Sequence, residues 1–250
     1  MITEFHPGWD GAALAVHRIG AGRPLLMLHG LFSSAAVNWV KYGHAERLAA
    51  AGFEAIMPDL RGHGQSAAPH EAAAYPKDVL ARDLAALVAA LGLTDYDLAG
   101  FSLGARTAVR SVVAGLSPAR LVLCGMGLEG LTGWRGRGAF FIDVIDRFGT
   151  IAREEGAAYM AQAFLKGSGT DRVAARHLLE AVDNTTAEEL ARIAMPCLVV
   201  CGAEDQDNGS APALAAALPD ARYAEVPGNH MSCVTKADLS EAMAGFLAAS

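Results

Sequence analysis

Short, unbroken apolar runs recur along the chain: PLLML at 24–28, EAIM at 54–57, YDLA at 96–99, RLVLC at 120–124, CLVVC at 197–201 and YAEV at 223–226. Most are continuous rather than alternating, which is the pattern of strands buried on both faces of a parallel sheet. Helical patterns fall between them. Leu80, Leu84, Leu87, Val88 and Leu91 follow the i, i+4, i+7, i+8, i+11 stripe of an amphipathic helix, and Leu239, Met243, Phe246 and Leu247 repeat it near the end. Strands alternating with helices predict an α/β fold with right-handed crossovers. The segment DGAALAVHRIG at 10–20 alternates more and reads as an antiparallel edge hairpin.

One stretch breaks this rhythm. From 127 to about 192 no convincing strand occurs. The stretch opens with GLEGLTGWRGRG, a glycine-rich run that reads as a mobile loop, and continues as helical patterns such as RVAARHLLEAV. Thr186 with Glu189 three positions on makes a capping box before another short helix. An all-helical insertion between two sheet strands is expected over the carboxyl edge of the sheet. The chain therefore divides into a core of 1–126 and 193–250 and a small helical cap of 127–192.

Composition narrows the function classes. Of 250 residues 52% are hydrophobic and 19% charged, which excludes a disordered chain. The formal net charge of −7, with no basic stripe, argues against a nucleic-acid partner. No apolar run approaches the roughly 18 residues of a membrane span. The start, MITEFHPGWD, lacks the basic and apolar regions of a secretory signal, so a soluble cytoplasmic chain acting on a small molecule is expected. Of the four cysteines, Cys124, Cys197 and Cys201 lie in apolar runs, and Cys233 completes the set. Cys197 and Cys201 are too far apart on one strand to bridge. No pair has zinc-site spacing, so buried thiols are expected.

Candidate chemistry centres on GFSLG, a G-x-S-x-G sequence between the strand YDLA and the helical stripe Ala105, Ala108, Val109, Val112. That strand–turn–helix context is the one the motif requires. Side chains at 100 or 104 would clash across so sharp a turn, while the turn exposes the Ser102 hydroxyl at a helix N-terminus. There the Leu103 N–H is free to donate to an oxyanion. A serine hydroxyl needs a base, itself oriented by an acid. Only His177 and His230 follow Ser102. His177 lies in a helical run of the cap and reads as structural. His230, in VPGNH between the last strand and the last helix, is the candidate base. For the acid, GAEDQDNG at 202–209 offers Glu204, Asp205 and Asp207, of which Asp205 has the best reach and Asp207 is the alternative. A second oxyanion N–H is expected from HGLFSS at 29–34, from Leu31 or, alternatively, Phe32. His29 is expected to bond the loop backbone.

These residues together resemble the α/β-hydrolase superfamily, small bacterial carboxylesterases in particular. The matching pieces are LHGLF at 28–32, PDLRGHGQS at 58–66, GFSLGA at 100–105, PCLVVCGAEDQD at 196–207 and PGNH at 227–230. The resemblance implies a twisted, mostly parallel sheet of about eight strands flanked by helices, with a short cap. It also implies a Ser102–His230–Asp205 triad, no cofactor and no metal. Asp59, Arg61 and His63 fall in a turn that is scaffold in the family, and neither His63 nor His70 has a partner at ligand spacing. Members that open epoxides or displace halide use an aspartate at the elbow, so the serine points to acyl transfer from a small, apolar carboxylic ester. C–C hydrolases, lactonases and perhydrolases use the same frame, and a ligand receptor on it is the reading outside catalysis. Trp134, Phe140, Phe141, Phe148, Tyr159 and Phe164 make the cap aromatic, for an apolar ligand or for packing on the sheet. Arg135 and Arg137 either attract an anionic group or are simply solvated.

Overall fold

The computed structural model describes residues 1–249. Eight strands form one sheet in the order β1-β2-β4-β3-β5-β6-β7-β8. They are β1 (Ile2–Pro7), β2 (Ala13–Ile19), β3 (Arg23–Leu28), β4 (Phe53–Pro58), β5 (Asp97–Phe101), β6 (Leu121–Cys124), β7 (Cys197–Gly202) and β8 (Ala221–Val226). Pairing is parallel from β4 through β8, and only the pairs made by β2 are antiparallel. The hairpin spans β1 and β2 rather than 10–20. Its first strand is largely exposed, with Ile2 at 65% and Phe5 at 59%, and so carries no buried apolar run to betray it.

The apolar runs of β3 to β7 are buried on both faces, where successive side chains point in opposite directions, whereas β8 at the sheet edge is mostly exposed. Leu26, Leu28, Leu98, Leu121, Leu123 and Val199 point to one face. There they meet α2 (Val79–Ala90), α3 (Leu103–Val113) and α9 (Ala211–Ala217), through residues such as Leu84, Val109 and Leu214. Leu25, Met27, Ala99, Val122 and Val200 point to the other. They meet α1 (His44–Ala50) and α11 (Ala237–Ala248) through Leu48, Leu239, Met243 and Leu247. All four thiols are free and buried in these layers, and burial pushes each of them up from its ordinary range.

Between β6 and β7 lie α4 (Leu128–Thr132), α5 (Trp134–Asp146), α6 (Ala157–Ser168), α7 (Arg172–Ala181) and α8 (Ala187–Leu190). Thr186 caps α8 in a reciprocal box with Glu189. The glycine-rich run is not a loop: α4 and the start of α5 cover it. Its glycines answer close approaches instead. A Cβ at Gly130 would sit 2.6 Å from the Met126 sulfur and 2.8 Å from the Asn208 Cβ. α4 packs against α9 and α8 against α3, and the Gly130 N–H bonds the Asn208 carbonyl in the loop after β7. Phe32, just after β3, joins a cluster with Trp134, Leu165 and Leu179.

No helix among the described residues is long and apolar enough to cross a membrane, and no group of three or more metal-type ligands occurs among them.

Candidate active site

Three strand ends meet in one place. β5 turns into α3 through Ser102, which has φ 53° and ψ −112°, a strained left-handed conformation for a residue with a Cβ. The glycines of the motif answer two separate contacts. A Cβ at Gly100 would lie 2.3 Å from the carbonyl of Gly104, across the turn. A Cβ at Gly104 would lie 2.2 Å from the Leu28 carbonyl oxygen of neighbouring β3, so the second glycine lets α3 approach the sheet rather than relieving the turn itself.

β8 ends at Val226 and is followed by Gly228 and Asn229. The Asn229 side chain accepts from the N–H groups of Met231 and Ser232, which starts a four-residue helix, α10 (His230–Cys233), at His230. The imidazole, 7% exposed, reaches Ser102 Oγ with Nε2 at 3.1 Å and Asp205 Oδ2 with Nδ1 at 2.8 Å. The Phe101 ring lies 5.0 Å away, centroid to centroid, and supports one face of the imidazole. With Nδ1–H donating to Asp205, Nε2 is left to accept from the serine hydroxyl.

Asp205 stands in the loop after β7 and is buried. Burial pushes its carboxyl up, but the hydrogen bond and charge of His230 outweigh that, helped by the Asp207 N–H at 3.0 Å and the Cys201 thiol at 3.3 Å. The net shift is downward, so the group is an anion at neutral pH. The Asp207 side chain faces Arg137 across 3.8 Å, and the Glu204 side chain is exposed. Of the three carboxylates in this loop only Asp205 bonds the imidazole.

Three backbone donors in and just after the HGLFSS loop are held by side chains. Gly30 N–H donates to Asn38 Oδ1 at 3.1 Å, Phe32 N–H to His63 Nε2 at 3.1 Å, and Ala35 N–H to Asp59 Oδ1 at 2.8 Å. The Leu31 N–H has no acceptor among the described residues, and neither has that of Leu103. Of the two candidate donors, the Leu31 N–H is thus free and that of Phe32 is engaged. Asn38 sits in a π-helical turn, Ala36–Val40, a local irregularity that sequence reasoning does not register.

The turn after β4 anchors this loop from below. Asp59 also accepts from Gln65 N–H at 2.8 Å and bonds His17 Nε2 at 3.2 Å. His29 donates from Nδ1 to the Gly30 carbonyl at 2.8 Å and accepts Leu60 N–H on Nε2 at 2.9 Å. His63 donates from Nδ1 to the Arg61 carbonyl at 3.1 Å. Both rings must therefore be neutral. Burial pulls the pKa of His29 down, and burial with the neighbouring His29 takes His63 down to about 3.

Sequence reasoning passes over several residues that touch this site. Cys201 donates to Asp205, and Asn208 Nδ2 holds the Gly125 carbonyl at 2.8 Å next to the imidazole. Of the histidines set aside, His177 in α7 bonds the His70 carbonyl at 3.1 Å, and His70 pairs with Asp171 at 2.9 Å, both away from Ser102. The cap aromatics are largely occupied in packing: Trp134 is buried, Phe141 meets Phe32 edge-on at 5.7 Å, and Phe148 and Phe164 pack on the same cluster. Phe140 is 37% exposed. Arg135 is exposed, whereas Arg137 bonds the Asp207 carbonyl and lies against the Phe141 ring.

The model of the alpha/beta hydrolase family matches residues 25–242 of the chain. Among curated proteins, an epoxide hydrolase of Caballeronia sordidicola is 36% identical over 104 residues, 42% of this chain and 31% of that protein. An N-formylmaleamate deformylase of Pseudomonas putida is 38% identical over 96 residues, 38% of this chain and 34% of that one. The chain thus spans about a third of the length of the curated relatives it matches. Among solved structures, an esterase of Exiguobacterium antarcticum superposes with a TM-score of 0.80 at 22% identity, covering 99% of this chain and all of that one. An esterase of a Rhodococcus species gives 0.76 at 25% identity over 100% and 99% of the two chains.

Proposed function

Since the chain belongs to the alpha/beta hydrolase family, we propose that it is a serine hydrolase that cleaves a small carboxylic ester through an acyl-enzyme on Ser102. The observation that carries this reading is the unbroken path from Ser102 Oγ through His230 to the Asp205 carboxylate, 3.1 Å and then 2.8 Å.

As the hydroxyl oxygen attacks the ester carbonyl, His230 Nε2 takes its proton, and the Asp205 anion stabilises the imidazolium. Negative charge grows on the carbonyl oxygen, where the free N–H groups of Leu31 and Leu103 receive it. Each such donor contributes on the order of 100-fold or more in rate. The proton on His230 then goes to the leaving alcohol. Water, deprotonated by the same nitrogen, releases the acid.

Epoxide opening, the activity in the name of one relative, does not suit a serine nucleophile. Attack of Oγ on an epoxide carbon would leave an ether, which water at this site has no means to cleave, whereas an acyl ester on the same oxygen is readily hydrolysed. The deformylase in the comparison concerns an acyl group on nitrogen, and the same path would serve it. C–C hydrolysis, lactone opening and perhydrolysis also begin with this triad, and a non-catalytic receptor would keep the pocket without turnover.

The test is Ser102→Ala on a panel of nitrophenyl esters, lactones and formamides, with circular dichroism to verify the fold. The expected result is near-background hydrolysis by a folded protein, and labelling of the wild-type Ser102 by a fluorophosphonate. Substantial activity remaining in Ser102→Ala would overturn the assignment. Labelling without turnover on any substrate would favour the receptor.

A further inference from the structure

The four buried thiols of this chain do not make equivalent contacts. Cys124 packs among apolar side chains of the sheet. Cys197 donates to the Met195 carbonyl at 3.2 Å, and Cys233 to the His230 carbonyl at 3.6 Å. Cys201, near the end of β7, donates instead to a charged group, Asp205 Oδ2, at 3.3 Å. That oxygen also accepts the Nδ1–H of His230 at 2.8 Å, while Oδ1 accepts the Asp207 N–H at 3.0 Å. Two side-chain donors therefore share one carboxylate oxygen of the triad.

The thiol keeps its proton wherever the chain is folded at moderate pH. Burial first, and then the facing Asp205 charge, push Cys201 far above the ordinary thiol range. The groups packed around this pair hold their charge near neutral pH as well. Cys124 on β6 and Cys233 on α10 are raised by burial, and so is the Tyr223 phenol on β8, helped by the Glu225 and Asp205 carboxylates. Arg137 on α5 is lowered by burial against the pull of Asp207 and Asp205, yet a guanidinium remains a cation. His44 on α1, which bonds the Val234 carbonyl just past α10, is lowered by burial. Glu204, Asp207 and Glu225 carry exposed carboxylates. The His230 ring is thus the member of this cluster whose charge changes near neutrality.

A proton donated to Oδ2 draws off part of the negative charge that would otherwise stabilise the imidazolium. The neutral ring, which is the form able to take the Ser102 proton, then persists to lower pH. We propose that Cys201 is a positioning residue of the triad: its S–H orients the Asp205 carboxylate and, by sharing Oδ2 with the imidazole, sets the pH below which His230 stops acting as a base. This role rests on the serine-hydrolase reading for what His230 does, though not for the contact between Cys201 and Asp205.

Three substitutions separate the hydrogen bond from packing. Cys201→Ala and Cys201→Val carry no donor, one leaving space and the other filling it, whereas Cys201→Ser keeps a donor in a smaller, more polar side chain. In both apolar variants the acid limb of kcat/KM on a nitrophenyl ester is expected to move up by about half a pH unit, the size of one weak hydrogen bond. In Cys201→Ser it should stay at or below the wild-type position. The midpoint of the His230 ring titration, followed by NMR with labelled histidine, should move in step. A limb that stays put in both apolar variants while plateau activity falls would mean packing alone and overturn the proposal. So would a serine variant that shifts upward as alanine does, which remains decisive if neither apolar variant folds. Hydrolysis that needs Ser102, with limb and midpoint unmoved in Cys201→Ala, refutes the thiol's role alone. A midpoint that moves in a protein hydrolysing no ester refutes the serine-hydrolase reading and leaves the action of Cys201 on Asp205 standing.

Discussion

The loops beneath Ser102 and the helical cap above it use polar side chains in opposite ways. Under the serine, Asp59, His29, His63 and Arg61 are buried and fully engaged, mostly with backbone atoms, and their bonds fix which loop N–H groups remain free. The ion pairs made within the cap are solvated. Arg147 with Asp143 and Arg176 with Asp146 stand on half-exposed helix faces. Exposed pairs contribute little, and buried satisfied groups dictate geometry. Precision therefore resides in the lower loops, while the cap is held by its apolar contacts and by the aromatic cluster around Phe32 and Trp134.

Substitutions can break or sharpen this contrast, and the largest effect should come at the triad. Asp205→Asn keeps the shape but favours the wrong imidazole tautomer, and kcat on a nitrophenyl ester is expected to fall about 10,000-fold, or about 5.5 kcal/mol. Asp207→Asn should stay within a few-fold of wild type, since only its backbone N–H bonds Asp205. Similar losses in the two variants would show that the acid is misassigned. Next comes Gly104→Ala, whose Cβ meets the β3 backbone. It should cost about 3 kcal/mol or more in urea unfolding, because α3 has to move off the sheet.

Acid should act third. His29, His44 and His63 have folded pKa values below the ordinary 6.5, with His63 near 3. Below about pH 6.5 the unfolded chain binds protons that the folded chain refuses. Stability therefore falls as pH falls, by about 1.4 kcal/mol per unit for each imidazole excluded, over a window reaching about pH 3 for His63. Asp59 and Asp205, whose pKa values are lowered, add stability that is present above about pH 4 and lost below it. Urea midpoints that do not move between pH 7.5 and 5 would contradict the neutral, buried imidazoles. The smallest effect belongs to the cap: Arg176→Ala should change stability by no more than about 0.5 kcal/mol. A larger loss would mean that solvated pairs matter there as well.

How far the sequence discloses this molecule depends on whether the cause is local. The strands from β3 to β7 are legible because a strand buried on both faces leaves an unbroken apolar run; of the two exposed edge strands, β8 shows only through the short run YAEV and β1 leaves none. The meeting of Ser102, Asp205 and His230 is legible because each stands just beyond a strand in a short motif. The helical state of 128–146 is not, because Gly130 looks like a flexible link until Met126 and Asn208 are brought against it. The burial of Arg106 against Trp134 is hidden for the same reason. The residue falls outside the apolar stripe of α3 and reads as a surface position until the cap closes over it. The choice of Leu31 over Phe32 depends on His63, thirty-one residues away in sequence from Phe32, and nothing in the spelling of HGLFSS contains that bond.

The four sequestered thiols make the chain its own reporter of opening. Iodoacetamide has no access to any of them in the closed molecule, so the rate at which carboxamidomethyl groups appear counts excursions in which a sheet layer comes apart. Cys201 and Cys233 flank the loops that carry Asp205 and His230, and Cys124 and Cys197 lie in the strands between. Peptide mapping after a short pulse would therefore show whether those loops loosen before the sheet does.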